Sequence, residues 1–246
     1  MYVPEYISDE LFHFVGRRAP IDHERNFQTL LQVINSNCIS SKPPEVGWGA
    51  TTVTLTRGKS LESEELAVSN ITCYCDIPVE SLSRHILKYG CFGLSFDRNM
   101  LARYGARPVL YIPTRSDDHL SPYGSTLLKN VEAIFEGFMR HLYERECQEE
   151  KEQRRTLCAI PGAAKEAVGA LHGLLLKDFL AFIKPYNSEL SVDDVNYFYS
   201  EREWRRLGGL MFGLGDIRTV VVKAGYEQRL NEAIPDFHGR VVSMKA

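Results

Sequence analysis

From Cys73 to Phe96 the chain sets two thiols, a carboxylate, an imidazole and several aromatics within one short block: Cys73-Tyr74-Cys75-Asp76-Ile77-Pro78, Ser83-Arg84-His85, Lys88-Tyr89-Gly90 and Phe92-Gly93-Leu94-Ser95-Phe96. On a strand, Cys73 and Cys75 point their sulfurs to the same face. With His85 and Cys91 they offer a soft-metal ligand set, but structural zinc favours two residues or more between paired cysteines so that the chain can turn around the ion. One residue separates them here, so no metal is expected and the cysteines read as small core fillers. A thiol nucleophile at Cys75 or Cys91, with His85 as its base, is a second chemistry open to the same residues. Nothing in the spacing fixes that geometry, and His85, between Leu82 and Ile86, serves equally as a structural imidazole.

Two further clusters carry chemistry. His13 lies inside the aromatic run Phe12-His13-Phe14, where strand alternation turns it away from both phenylalanines, so that a core-facing Phe12 and Phe14 leave His13 toward a cleft or solvent. Arg17 and Arg18 follow, with forked guanidinium groups suited to phosphate. In Glu201-Arg202-Glu203-Trp204-Arg205, strand alternation puts Glu201 and Glu203 on one face. Paired carboxylates can orient a sugar hydroxyl and stabilise an oxocarbenium-like centre. The bland alternative is a solvated face balanced by Arg202 and Arg205, and the same Glu-x-Glu spacing recurs at Glu62 and Glu144. Gly208, Gly209, Gly213 and Gly215 match neither a phosphate loop nor a dinucleotide fingerprint and read as a flexible turn.

The elements that must position these groups are mixed. Strands are expected at 12–16, 51–57, 66–75, 92–96, 109–112, 195–199, 203–207 and 217–223, with a last edge strand at 241–244. Helices are expected at 21–35 with Asp22 as cap, from Pro78 to Gly90, and at 226–233. In the middle, apolar residues from Leu127 to Leu142 keep helical period before a charged stretch to Arg155. Pro161-Gly162 then breaks the chain, and 163–184 continues as a second helix ended by Pro185. The expectation is one α+β domain over 1–246, with an antiparallel helical hairpin inserted at 124–185. Such an amphipathic pair favours contact with a partner or self-association into a homo-oligomer.

Composition bounds the function classes. A chain of 246 residues with 44% hydrophobic content can bury a full core. No apolar run reaches the roughly 18 uncharged residues of a membrane span. Met1-Tyr2-Val3-Pro4-Glu5 lacks the basic and apolar regions of a signal peptide, and six cysteines form no evident disulfide framework, so reduced thiols in a cytoplasm are expected. A net charge of −3 gives no general attraction to nucleic acid or anionic membrane, which leaves only local basic clusters for such contacts.

Taken together, the segment from Tyr6 to Gly16, the Cys73–Pro78 stretch with His85 and Lys88-Tyr89-Gly90, and Glu203-Trp204-Arg205 resemble the AbiGi family. The resemblance implies a bacterial abortive-infection protein of phage resistance, often labelled antitoxin. More distantly the chain resembles the ADP-ribosyltransferase-like fold, with mixed and antiparallel sheets. That resemblance implies NAD as cofactor, an early-strand His13 or Arg17 that holds it, Tyr74 or Tyr89 beside the nicotinamide with His85 in the same wall, and Glu203 as the catalytic carboxylate completed by Glu201. No Ser-Thr-Ser strand accompanies these residues. Two expectations therefore stand side by side: an NAD-dependent ADP-ribosyltransferase-like enzyme, and a non-catalytic antitoxin or regulator that binds a partner toxin or DNA. A metal-dependent hydrolase lacks the clustered Asp and His pattern it would need.

Overall fold

The structure, a computed structural model, describes residues 8–40, 53–55, 67–69, 71–114, 179–194 and 197–245, with single positions between 126 and 174. Two units divide the chain, Met1–Thr52 with Ser69–Val109 and Val192–Ala246 in one, Val53–Val68 with Leu110–Ser191 in the other. The first carries a seven-stranded mixed sheet. In chain order its strands are β1 (Glu10–Phe14), β5 (Ile71–Cys75), β6 (Gly93–Asp97), β7 (Arg107–Pro108), β10 (Glu203–Leu207), β12 (Ile217–Lys223) and β13 (Arg240–Met244), and across the sheet they run β13-β12-β6-β1-β5-β10-β7. Every pair is antiparallel except β12 with β13. Short strands β2 (Cys38–Ile39) and β11 (Leu210–Met211) pair separately.

Local sequence explains these elements. In β12, Thr219, Val220, Val221 and Val222 are fully buried, as a central strand covered on both faces requires. A bulge between Ile217 and Thr219 is stitched to its neighbours: the Thr219 amide donates to Ser95 Oγ at 3.0 Å and its hydroxyl to Glu10 Oε2 at 2.7 Å. Helix α1 (His23–Asn35) starts where Asp22 accepts from the Arg25 amide at 3.2 Å, and buries Phe27, Leu30 and Ile34 at helical spacing. Helix α2 (Ser83–Tyr89) follows Pro78 and a 3-10 turn at Val79–Ser81, and ends at Gly90, whose φ of 79° suits glycine. Helices α3 (Arg98–Arg103), opened by Asp97, and α4 (Glu227–Ala233) also belong to this unit.

In the second unit β8 (Leu110–Thr114) and β9 (Ile183–Asn187) pair in parallel, and β3 (Val53–Leu55) pairs with β4 (Ala67–Ser69). Three expectations are corrected across the two units. The helix read to Lys184 gives way to a 3-10 turn at Leu180–Phe182 and to β9, which carries Pro185 inside a two-stranded sheet that leaves it an open edge. The strand read at 195–199 is replaced, where described, by a 3-10 turn at Phe198–Glu201. The first strand also begins earlier, at Glu10, because Glu10 has partners of its own in Thr219 and Arg240. Most of the hairpin expected over 124–185 lies outside the described residues; within it Thr126, Lys129, Asn130, Ala133, Ile134 and Gly137 are helical, as are Ala170 and Gly173. Among the described residues no helix is long and apolar enough to cross a membrane.

Candidate functional site

Register across the sheet decides which side chains meet. Phe12 stands opposite Cys75, and Cys75 opposite Glu203, so these three share one face. His13 and Tyr74, each one residue along, lie on the other face, where their rings approach to 5.8 Å. His13 is half-buried there and its Nδ1–H donates to the Cys73 carbonyl at 2.8 Å. Burial holds its pKa below the usual histidine value, the backbone bond opposing in part. Tyr74 is buried, its hydroxyl 3.2 Å from the Thr72 hydroxyl, and burial pushes its pKa up. His13 therefore faces packed protein rather than an open cleft, and it stands apart from Glu203.

A cleft of about 540 Å³ opens beside α2, lined among others by His85, Lys88, Tyr89, Glu201 and Arg202, while Glu203 is not among the lining residues. His85 and Tyr89, one turn apart on α2, stack with ring centroids at 4.4 Å, and Phe14 packs against His85 at 5.0 Å. Opposite them the 3-10 turn delivers Glu201. Arg202 then takes a left-handed conformation (φ 46°, ψ 50°) that an arginine adopts only when held. What holds it is Asp76: its amide donates to the Arg202 carbonyl at 3.1 Å and its carboxylate accepts from the Arg202 guanidinium at 3.2 Å. Glu201 and Glu203 thus flank a kink and do not alternate along one strand.

Both carboxylates are buried and partnered. Oε1 of Glu201 accepts from Lys88 Nζ at 2.6 Å and from the Tyr89 hydroxyl at 2.7 Å. Glu203 accepts from Arg205 Nε at 2.7 Å and Nη2 at 3.4 Å. Burial first, then the Glu201 charge, pushes the Tyr89 phenol upward, so it stays a donor. The same two causes push the Cys75 thiol upward, and burial raises Cys91 as well. Neither thiol is poised as a thiolate nucleophile. Among the described residues no three or more His, Cys, Asp or Glu side chains gather to hold a metal.

The structure thus brings His85, Tyr89, Glu201 and Glu203 to one place, and the Arg17 charge reaches Tyr89. Arg17 is positioned by a loop tied down where Asn26 Nδ2 donates to the Ala19 carbonyl at 2.8 Å, and where a Cβ on Gly16 would run into the Tyr89 carbonyl. His13 and Tyr74 are left on the opposite face. Sequence reasoning missed Lys88 as a site residue, along with Phe198 and the Asp76 brace of Arg202. Lys88 sits three residues after His85, a spacing that shares a helix face, while nothing in the sequence signals Phe198. The set can stack a planar ring on His85 and Tyr89, bind a hydroxyl through Glu201, and meet anions through Arg84 and Arg202.

A family model described as "Putative abortive phage resistance protein AbiGi, antitoxin" matches residues 53–237. No curated protein and no solved structure matches the chain.

Proposed function

We propose, from the premise that this chain belongs to the AbiGi family of abortive phage resistance proteins labelled antitoxin, that it contributes to phage resistance through the cleft beside Glu201 and Glu203, as an ADP-ribosyltransferase-like binder of NAD. The observation that carries this reading is the meeting of the buried Glu201 carboxylate with the stacked His85–Tyr89 pair in the lining of the cleft, with the Glu203 charge close enough to act on Tyr89. In this reading the nicotinamide rests on that aromatic wall, Glu203 and Glu201 engage the adjoining ribose, and the pyrophosphate meets Arg84 or Arg17. His13 has no part in it, so the early-strand role passes to Arg17. Glu203 would steady positive charge on the ribose as nicotinamide leaves.

Incubation with labelled NAD and cell extract, alongside a Glu203→Gln variant, tests this. Nicotinamide release or label transfer that the variant abolishes supports an enzyme; NAD binding without turnover supports a sensor; neither binding nor turnover ends the reading.

A second reading, a non-catalytic antitoxin that docks a cognate toxin, is favoured by the internal pairing of both carboxylates with Lys88 and Arg205. Exposed Leu87, Val192 and Tyr199 give it apolar contact surface. Co-expression with the cognate toxin, followed by affinity capture, separates it from the first.

A further inference from the structure

The sheet ends at β7, and the charge there is one-sided. From Arg98 to Val109 and from Trp204 to Gly215 the chain carries arginines and no acidic residue, although acidic residues outnumber basic ones over the whole sequence, 32 to 29. The fold brings these two stretches together, for β10 pairs with β7 and sets Arg205 directly opposite Arg107. Like charges facing each other across a strand pair are destabilising unless an anion answers them. Glu203 answers Arg205. Arg103, exposed at the end of α3, has no carboxylate partner among the described residues, which the negative end of its own helix compensates only in part. Arg206 has none either and spends its N–H groups on neutral acceptors: Nε donates to the Tyr104 carbonyl at 2.9 Å, and Nη1 to the carbonyls of Leu207 at 3.1 Å and of Gly209. Those bonds fix the guanidinium without cancelling its charge. The first of them also ties it to Tyr104, a large aromatic side chain that stands 54% exposed between Arg103 and Arg107.

We infer that this edge of the sheet binds single-stranded nucleic acid, with Arg103, Arg107 and Arg206 meeting phosphates and Tyr104 stacking on an unpaired base. Guanidinium forks match phosphate oxygens in shape as well as in charge. An exposed tyrosine beside them is a platform on which any base can stack, and stacking requires a base drawn out of its duplex, which selects the single strand. Strand β7 is only two residues long and its Pro108 has no N–H, so it offers little backbone for strand addition and leaves recognition to side chains. None of these four residues lines the cleft beside α2, so the inference is independent of the NAD reading. The chain as a whole is acidic, and this local cluster supplies the attraction to a polyanion that its net charge of −3 does not.

Fluorescence anisotropy with the full chain tests this, using labelled oligothymidylate and oligouridylate of roughly 20 nucleotides, a duplex of the same length, and a polyglutamate peptide, between about 50 and 200 mM salt. At least one single strand should bind, more tightly than the duplex, and the one preferred identifies DNA or RNA as the source. Three phosphate contacts at about −0.7 each predict a log–log salt slope of about −2. Arg103→Gln should weaken binding and make that slope shallower by about 0.7. Tyr104→Ala should weaken binding roughly tenfold with the slope unchanged, while Tyr104→Phe keeps the wild-type affinity. Both positions are exposed, so urea melts of these variants should overlay that of the wild type. Failure of both single strands to bind, or wild-type affinity in Arg103→Gln or Tyr104→Ala, overturns the proposal. Equal binding of the duplex overturns the single-strand assignment, and equal binding of polyglutamate turns the surface into one for an acidic protein. Phenylglyoxal labelling of the wild-type chain needs no variant: the saturating single strand should protect Arg103, and unchanged labelling there again overturns the proposal.

Discussion

The two faces of the sheet at β1, β5 and β10 are built from similar residue types and behave differently. On one, His13 and Tyr74 spend their polar atoms on a backbone carbonyl and a threonine hydroxyl, and the rings pack into a continuous aromatic core through Phe96 to Phe212. On the other, Glu203 is held by Arg205, and Glu201 is held by Lys88 and Tyr89 in the lining of a cleft. A single step along each strand separates these fates. The lesson is that a titratable side chain on a strand takes its role from the register of its neighbours, and that burial with a neutral partner makes a histidine structural while burial with paired charges leaves chemistry in reserve.

Substitutions on each face can break or sharpen that contrast. The largest expected effect belongs to the packed face: Phe96→Ala, removing a fully buried ring that packs edge-on against Tyr74 and Phe212, should cost about 3–5 kcal/mol in urea denaturation. On the cleft face Glu201→Ala leaves the half-screened Lys88 ammonium and the Tyr89 hydroxyl without their acceptor, and should cost about 3 kcal/mol. Adding Lys88→Met should recover part of that loss in a double-mutant cycle; additive losses would mean that the two groups are not coupled.

Acid should weaken the packed face next. The folded pKa of His13 lies below its ordinary value of 6.5, so the neutral ring is favoured by folding. Its contribution is fully present above pH 6.5 and drains as pH falls from there through the folded value, at up to about 1.4 kcal/mol per unit. His23, whose Nε2 accepts from Lys223 Nζ at 2.7 Å, shifts in the same direction and adds to the slope. His13→Asn, which keeps a donor for the Cys73 carbonyl, should flatten the stability profile between pH 5 and 6.5, assessed by thermal melts across that interval. The smallest effect falls at the cleft rim: Asp193→Ala opens an exposed ion pair to Arg84 and should change stability by no more than about 0.5 kcal/mol.

Much of this was legible in local sequence. Asp22 caps α1 as its side chain and position foretell, Pro78 and Gly90 bracket the turn and helix that carry His85, and β10, β12 and β13 fall where β-branched and alternating residues put them. The cysteines of β5 lie on a strand of the sheet, as expected from the residues around them. The misses were tertiary. Alternation correctly turned His13 from Phe12 and Phe14, but it could not reveal that the opposite face was also covered, since that depends on Tyr74 from a strand some 60 residues away. Glu201 and Glu203 are set on either side of a left-handed Arg202 fixed by Asp76, a brace that spans 126 residues and leaves no local mark. Phe198 was hidden in a stretch whose aromatic content reads as strand and folds as a 3-10 turn.

The parallel pairing of β12 with β13 also bears on the order in which the molecule is made. The Arg240–Thr219 contact closes a loop of only 21 residues, whereas the Arg202–Asp76 contact that sets the Glu201–Glu203 kink must close one of 126. Loop-closure entropy favours the short connection first, so the β12–α4–β13 unit is expected to gain hydrogen-exchange protection early in refolding and β10 late. The carboxylates would then reach Lys88 and Tyr89 only as the sheet is completed, and a chain caught before that step would hold most of its core and none of its cleft.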